Sequence, residues 1–249
     1  MSTNLSISIK DFNDFKSACN HFDIEINNNQ LNLFKKYYET LLEWNKKINL
    51  ISRKEENILE RHFLDSILFL PEINNVIARR CEAPTKQSPD DLRNEIASVA
   101  SLPRNDKIDV LDIGSGGGFP AIPLAIMKPK WKFTLCESIK KKANFLEYLV
   151  KELNLTNVEI INARVETLRA TSLHKNKFDF ITARAVARLD VLIKYSLPLL
   201  KKGGYLLAYK AKDIDEEIKK CKGEVISPLL KIFEKEVNGV VRKLIVLQM

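Results

Sequence analysis

The hydrophobic positions of this chain change their period along its length. From Asp11 to about Leu70, the residues Leu31, Phe34, Tyr38, Leu41, Leu42 and Ile48 recur at the three-to-four spacing of a helix with one apolar face. A second such run, Ile58 to Leu70, follows LISRKEEN, so residues 1–70 are expected to form an N-terminal helical extension. Periodicity then fails. Residues 71–107, which include RRCEAPTKQSPDDLRNE, are expected to be a polar connection or insertion and the place where disorder concentrates. From 108 to 249, strand-like runs at Ile108–Ile113, Trp131–Cys136, Val158–Ile161, Phe178–Thr182 and Tyr205–Ala208 alternate with helical patterns at Pro120–Met127, Ile139–Leu153 and Val186–Leu200. Such alternation predicts an α/β fold with a mostly parallel sheet wrapped by helices. The C-terminal KIFEKEVNGVVRKLIVLQM places Asn238-Gly239 between two strand-like runs, which predicts a closing antiparallel hairpin.

The stretch DVLDIGSGGGFPAIPLA, Asp109 to Ala125, is an apolar run that breaks into glycines and turns apolar again. It reads as strand, tight turn and helix, the usual ligand-binding turn of a doubly wound sheet. Gly114, Gly116, Gly117 and Gly118 let backbone approach a ligand without Cβ interference. A dinucleotide fingerprint needs glycines at the first, third and sixth positions, and the sixth here is Phe119. Asp112, beside the first glycine, would repel a pyrophosphate and attract a ligand carrying an ammonium and a sulfonium. S-adenosylmethionine carries both cations and no phosphate. Glu137 ends the next strand 23 residues beyond Gly114, where a carboxylate can accept hydrogen bonds from both ribose hydroxyls. That feature is shared with nicotinamide cofactors, so the choice between them rests on Asp112 and Phe119.

Charge adds a partner. A formal charge of +8 and a pI near 9.2 favour a polyanion, with nucleic acid foremost. Cys19, Cys81, Cys136 and Cys221 lack the paired spacing of a zinc site or redox couple, so reduced thiols and no metal are expected. The N-terminus lacks a secretory pattern, and the longest apolar region, Leu189 to Tyr209, is broken by lysines and glycines. The expectation is therefore a cytoplasmic protein with no membrane span; a monomer is taken as the starting expectation, since nothing in the sequence fixes the oligomeric state.

Five motifs in order carry a resemblance: RHFLDSI (Arg61–Ile67), LDIGSGGGFPAIPLAI, ESIKKKANFL (Glu137–Leu146), ARVETL (Ala163–Leu168) and ITARAVARL (Ile181–Leu189). Together they resemble the bacterial RsmG family, also called glucose-inhibited division protein B, the small-subunit ribosomal RNA guanine-N7 methyltransferases. The resemblance runs from about Phe34 to the C-terminus, interrupted by the polar insertion. It implies a Rossmann-like methyltransferase fold with an N-terminal helical extension, S-adenosyl-L-methionine as donor, and guanine N7 in small-subunit ribosomal RNA as acceptor. It further implies that Gly114 and Phe119 line the cofactor loop, that Val165 and Glu166 lie beside the adenine, and that Arg184 completes the cofactor site. Two departures stand out: Ala121 where the family has glycine, and YKAK at Tyr209–Lys212 in place of Lys-Gly.

Methylation of guanine N7 needs no general base, because the nitrogen offers a lone pair and carries no proton to remove. No catalytic acid or base is therefore assigned, and His62 is read first as a packing or hydrogen-bonding residue. Arg184 could instead form a surface salt bridge, and Glu166 could cap the helix that follows it. Arg61, Lys140, Lys141, Lys210 and Lys212 are the candidate RNA contacts, with a solvated helix face the alternative for Lys140 and Lys141. Trp44 is read as core before a base-stacking platform. Two other functions stay open at this point: a nicotinamide-dependent oxidoreductase, and a non-catalytic RNA-binding protein on a methyltransferase scaffold.

Overall fold

The computed structural model describes residues 9–81, 107–210, 214–221 and 230–249. Residues 82–106 of the expected insertion, and Lys212, lie outside them. Helix α1 (Phe12–His21) starts where the Asp11 carboxylate accepts the N–H groups of Asn13 at 2.7 Å and Asp14 at 2.9 Å. Helix α2 (Asn28–Asn45) opens with a reciprocal cap in which Asn27 Oδ1 accepts the Gln30 N–H and Gln30 Oε1 accepts the Asn27 N–H. Its stripe buries Leu31, Phe34, Tyr37 and Leu41. Tyr37, rather than the expected Tyr38, is the fully buried tyrosine of that helix. The single helix expected over 58–70 divides into a wide π turn (Leu59–Leu64), a short α3 (Asp65–Ile67) and α4 (Leu70–Cys81). Helix α4 occupies the start of the expected polar connection, because Ile73 and Val76 are buried on it.

The remainder forms one sheet with helices on both faces. Its elements are β1 (Asp109–Ile113), α5 (Ala121–Met127), β2 (Lys132–Cys136), α6 (Lys140–Glu152), β3 (Val158–Ile161), α7 (Val165–Ala170), β4 (Phe178–Arg184), α8 (Leu189–Ser196), β5 (Leu200–Lys210), α9 (Asp215–Cys221), β6 (Leu230–Val237) and β7 (Val240–Gln248). The strand order is β3-β2-β1-β4-β5-β7-β6. The first five strands are parallel, and β7 runs antiparallel between β5 and β6. Asn238 and Gly239 take positive φ of 51° and 75°, as a two-residue hairpin turn matching the strand twist requires. Helix α8 begins at Leu189 instead of Val186, which leaves Val186 on the turn after β4. Strand β5 starts five residues earlier than its apolar run, at Leu200.

The order of connection reverses between β1 and β4, so the crevice above their carboxyl ends is where this architecture receives a ligand. Alternation along the strands separates two cores. Val110, Phe133, Phe180, Leu207 and Leu244 pack with α5, α6 and the extension, whereas Leu111, Ile113, Ile181, Leu206 and Ile245 pack beneath α7, α8 and α9. The extension thus shares its core with one sheet face. Trp44 belongs to that contact, tilted against Phe145 and Tyr148 of α6 at 5.6 and 5.3 Å. A buried ion cluster fixes the register. Arg242 of β7, 6% exposed, reaches both oxygens of Asp65 at 2.8 and 2.9 Å and Glu60 at 3.3 Å, while Asn238 donates to Glu60 at 2.7 Å. The π turn lets Glu60 and Asp65 meet the same guanidinium.

Candidate functional site

The glycine loop joins β1 to α5 with three residues in the left-handed region: Gly114 at φ +68°, Gly116 at +56° and Gly118 at +94°. A Cβ at Gly114 would come within 2.8 Å of Val186 Cγ2. The Gly114 N–H donates to the Cys136 carbonyl at 2.8 Å, and the Gly116 N–H donates to Glu137 Oε2 at 2.8 Å. Glu137 Oε1 accepts the Ile139 N–H, also at 2.8 Å. Glu137, 5% exposed, therefore ties the loop to the end of β2. Each of its oxygens keeps one further lone-pair site for an incoming hydroxyl.

Above the loop lies a cavity of about 220 Å³ whose wall includes Gly114, Ser138, Val165, Glu166, Val186 and Tyr195. Three expected site residues, Gly114, Val165 and Glu166, meet there. Glu166 sits in the first turn of α7 and accepts the Tyr195 hydroxyl at 2.7 Å, a bond that pulls its carboxyl below the usual range. Tyr195 and Val186 escape sequence reading because one was assigned to a helix interior and both reach the wall from across a crossover. The cavity is smaller than the roughly 300–1,000 Å³ typical of small-molecule sites, so it matches part of a nucleoside-bearing ligand.

Asp112, Phe119 and Arg184 lie on the other side, toward the extension. Asp112 shares the face of Val110, because side chains alternate along β1. It is 1% exposed, so it lies beneath the loop as a buried group. Thr182 donates to its Oδ1 at 2.6 Å, and its Oδ2 is buried without a partner. Burial pushes the Asp112 carboxyl up to about 7, with the Glu137 charge adding to the push. Phe119 stacks on Tyr37 at 5.3 Å and lies 5.0 Å from His62, so its ring packs against the extension and not along the cavity wall. Arg184 donates to the His62 carbonyl at 3.3 Å, to Ser66 Oγ at 3.4 Å and to the Arg61 carbonyl, and stands 3.7 Å from Asp65. It is a half-buried tie to the π turn and not a surface salt bridge. His62 Nε2 is 2.8 Å from Glu55, and burial, with the Arg184 charge, lowers its basicity.

The basic candidates divide. The Arg61 side chain is 60% exposed and 3.1 Å from Glu55, and Lys140 and Lys141 are exposed in the first turn of α6. Lys210 differs: its side chain is 15% exposed, and its ammonium is held by Glu217 at 2.8 Å and the Ala187 carbonyl at 3.0 Å. Among the described residues no group of three or more His, Cys, Asp or Glu side chains could hold a metal, and no helix is long and apolar enough to cross a membrane.

A family model described as GidB, rRNA small subunit methyltransferase G, matches residues 30–81 and 90–244. The Ribosomal RNA small subunit methyltransferase G of Lactococcus lactis subsp. lactis (strain IL1403) is 38% identical over 225 residues, covering 90% of this chain and 82% of that protein. The protein of the same name from Desulforamulus reducens is 36% identical over 207 residues, 83% of this chain and 74% of that one. Its namesake in Clostridium botulinum (strain 657 / Type Ba4) is 36% identical over 208 residues, 83% and 75% of the two chains.

Proposed function

The chain belongs to the rRNA small subunit methyltransferase G family, and on that premise we propose that its glycine-loop cavity serves methyl transfer from S-adenosylmethionine to N7 of a guanine in small-subunit ribosomal RNA. The observation that carries the reading is the bare, left-handed Gly114 in the wall of a cavity beside a glycine loop that Glu137 ties to the end of β2. Val165 and Val186 would shelve the apolar faces of the nucleoside. Glu137 would take the ribose hydroxyls on its remaining lone pairs, and Glu166 and Ser138 border the purine end. The amino-acid end would extend over the glycine loop, where the Glu137 carboxylate favours positive charge and repels a pyrophosphate, while the buried Asp112 carboxyl gains its charge only as the pH rises toward 7. That electrostatic bias supports the methyl donor over a nicotinamide cofactor.

S-adenosylmethionine, when bound, supplies a methyl group on a sulfonium. The task left to the protein is alignment, exclusion of water and binding of RNA, because guanine N7 has an available lone pair and no proton. Positioning of this kind is worth up to about 7–11 kcal/mol. Neither His62 nor Asp112 is required to move a proton, and Arg61, Lys140 and Lys141 supply exposed charge for RNA phosphates. A ribosomal RNA substrate supports a cytoplasmic enzyme. Calorimetric titration tests the donor: S-adenosylmethionine should bind and NAD should not. Binding of NAD alone would overturn the reading.

A further inference from the structure

Resting on that reading of the cavity, we infer that Tyr37 of the helical extension is a positioning residue that fixes the glycine loop in the form that receives the cofactor. Tyr37 is 0% exposed and comes from α2, 80 residues away in sequence, yet its hydroxyl donates to the Gly117 carbonyl at 2.5 Å. Its ring stacks on Phe119, the residue that ends the loop, at 5.3 Å and 22°. The hydroxyl also stands 2.8 Å from where a Cβ at Gly118 would be, so the loop and the tyrosine are fitted to each other. On the opposite side, Glu137 holds the Gly116 N–H. Neighbouring loop residues are therefore gripped by an acceptor from β2 and a donor from the extension. The loop's own bond from the Gly118 N–H to the Ser115 carbonyl at 2.7 Å shapes the turn, and the tyrosine hydroxyl adds the constraint on Gly117, between glycines at φ +56° and +94° that have no Cβ to restrict them. The extension approaches the same loop again through Leu50, whose carbonyl lies 3.6 Å from a Cβ built at Gly117, and whose N–H is held by the buried Asn45 at 2.9 Å. It forms part of the cofactor site as well as a surface for RNA.

The Tyr37→Phe variant keeps the ring and removes only the hydroxyl, leaving the buried Gly117 carbonyl without this donor. In the absence of any cofactor, backbone amides of residues 114–119 should exchange hydrogen faster than in the parent protein. Affinity for S-adenosylhomocysteine, measured by calorimetry, should fall at least about five-fold, the lower end for a buried group stripped of its partner. The turnover number at saturating donor and the KM for RNA should stay within about two-fold, since the variant acts through the loop alone. Unchanged exchange and unchanged affinity would overturn the inference, as would an equal loss in donor and RNA KM. The parent protein gives a second test, in which S-adenosylhomocysteine should protect α2 around Tyr37 together with the loop, and protection confined to the loop would count against the role. If the parent protein fails to bind S-adenosylhomocysteine, the proposed function falls and this inference with it. Normal binding by both proteins removes the inference alone.

Discussion

Replacing Asp112 by Asn tests the electrostatics of the site at its most buried charge. Burial raises this carboxyl from an ordinary 3.8 to about 7, against the hydrogen bond from Thr182. A displacement of that size is worth roughly 4 kcal/mol between the two protonation states. The folded pKa lies above the unfolded one, so the folded chain keeps its proton while the unfolded chain loses it. Stability contributed at Asp112 is therefore complete below about pH 4 and is lost as the pH rises toward 7, at about 1.4 kcal/mol per pH unit. Asn keeps the acceptor for Thr182 and cannot ionise. It also places an NH₂ where Oδ2 has no partner, a constant cost of about 1–3 kcal/mol that does not vary with pH. Urea unfolding of both proteins from pH 4 to 8 separates the two effects. The stability of Asp112→Asn relative to the parent should climb between pH 4 and 7 and level off above. A difference that stays flat across that range would show that Asp112 is an ordinary ionised carboxylate and would refute the reasoning.

Gly114→Ala should cut S-adenosylhomocysteine affinity at least ten-fold by calorimetry, because its Cβ meets Val186 at 2.8 Å and a left-handed alanine costs roughly 1–2 kcal/mol. Arg242→Ala should lower the free energy of urea unfolding by about 3–5 kcal/mol, since it strands Glu60 and Asp65 without their buried counter-charge. Arg61→Ala should weaken RNA binding across sequences and reduce the slope of log affinity against log salt by about 1, with the thermal midpoint unchanged. Lys210→Ala should leave that slope unchanged, because the Lys210 ammonium is already spent on Glu217 and Ala187.

The sheet was legible where local chemistry decides. The apolar runs before Gly114 and Glu137 form β1 and β2, and Asn238-Gly239 turns the final hairpin as its residue types demand. The π turn at Leu59–Leu64 was not legible, because its register answers to Arg242, 177 residues from Asp65. Helical spacing pointed to Tyr38, yet the buried stripe turns by one residue to place Tyr37 under the glycine loop. Of the candidate cavity, Gly114, Val165 and Glu166 come together from motifs far apart in the sequence. Asp112, Phe119 and Arg184 are also present beside the loop, but on the extension side, since strand alternation and packing, and not spacing, choose the face. The partner of Lys210 was not legible, because Glu217 lies on α9, beyond the strand end that made the lysine stand out.

The most direct test of the central claim is to incubate the purified protein with small-subunit ribosomal RNA and S-adenosylmethionine carrying a labelled methyl group, then cleave the RNA chemically at N7-methylguanine. The account requires incorporation of label and cleavage at a guanine, both lost with Gly114→Ala at low donor concentration. Label found on another atom or base, or no transfer from a donor that demonstrably binds, would contradict it.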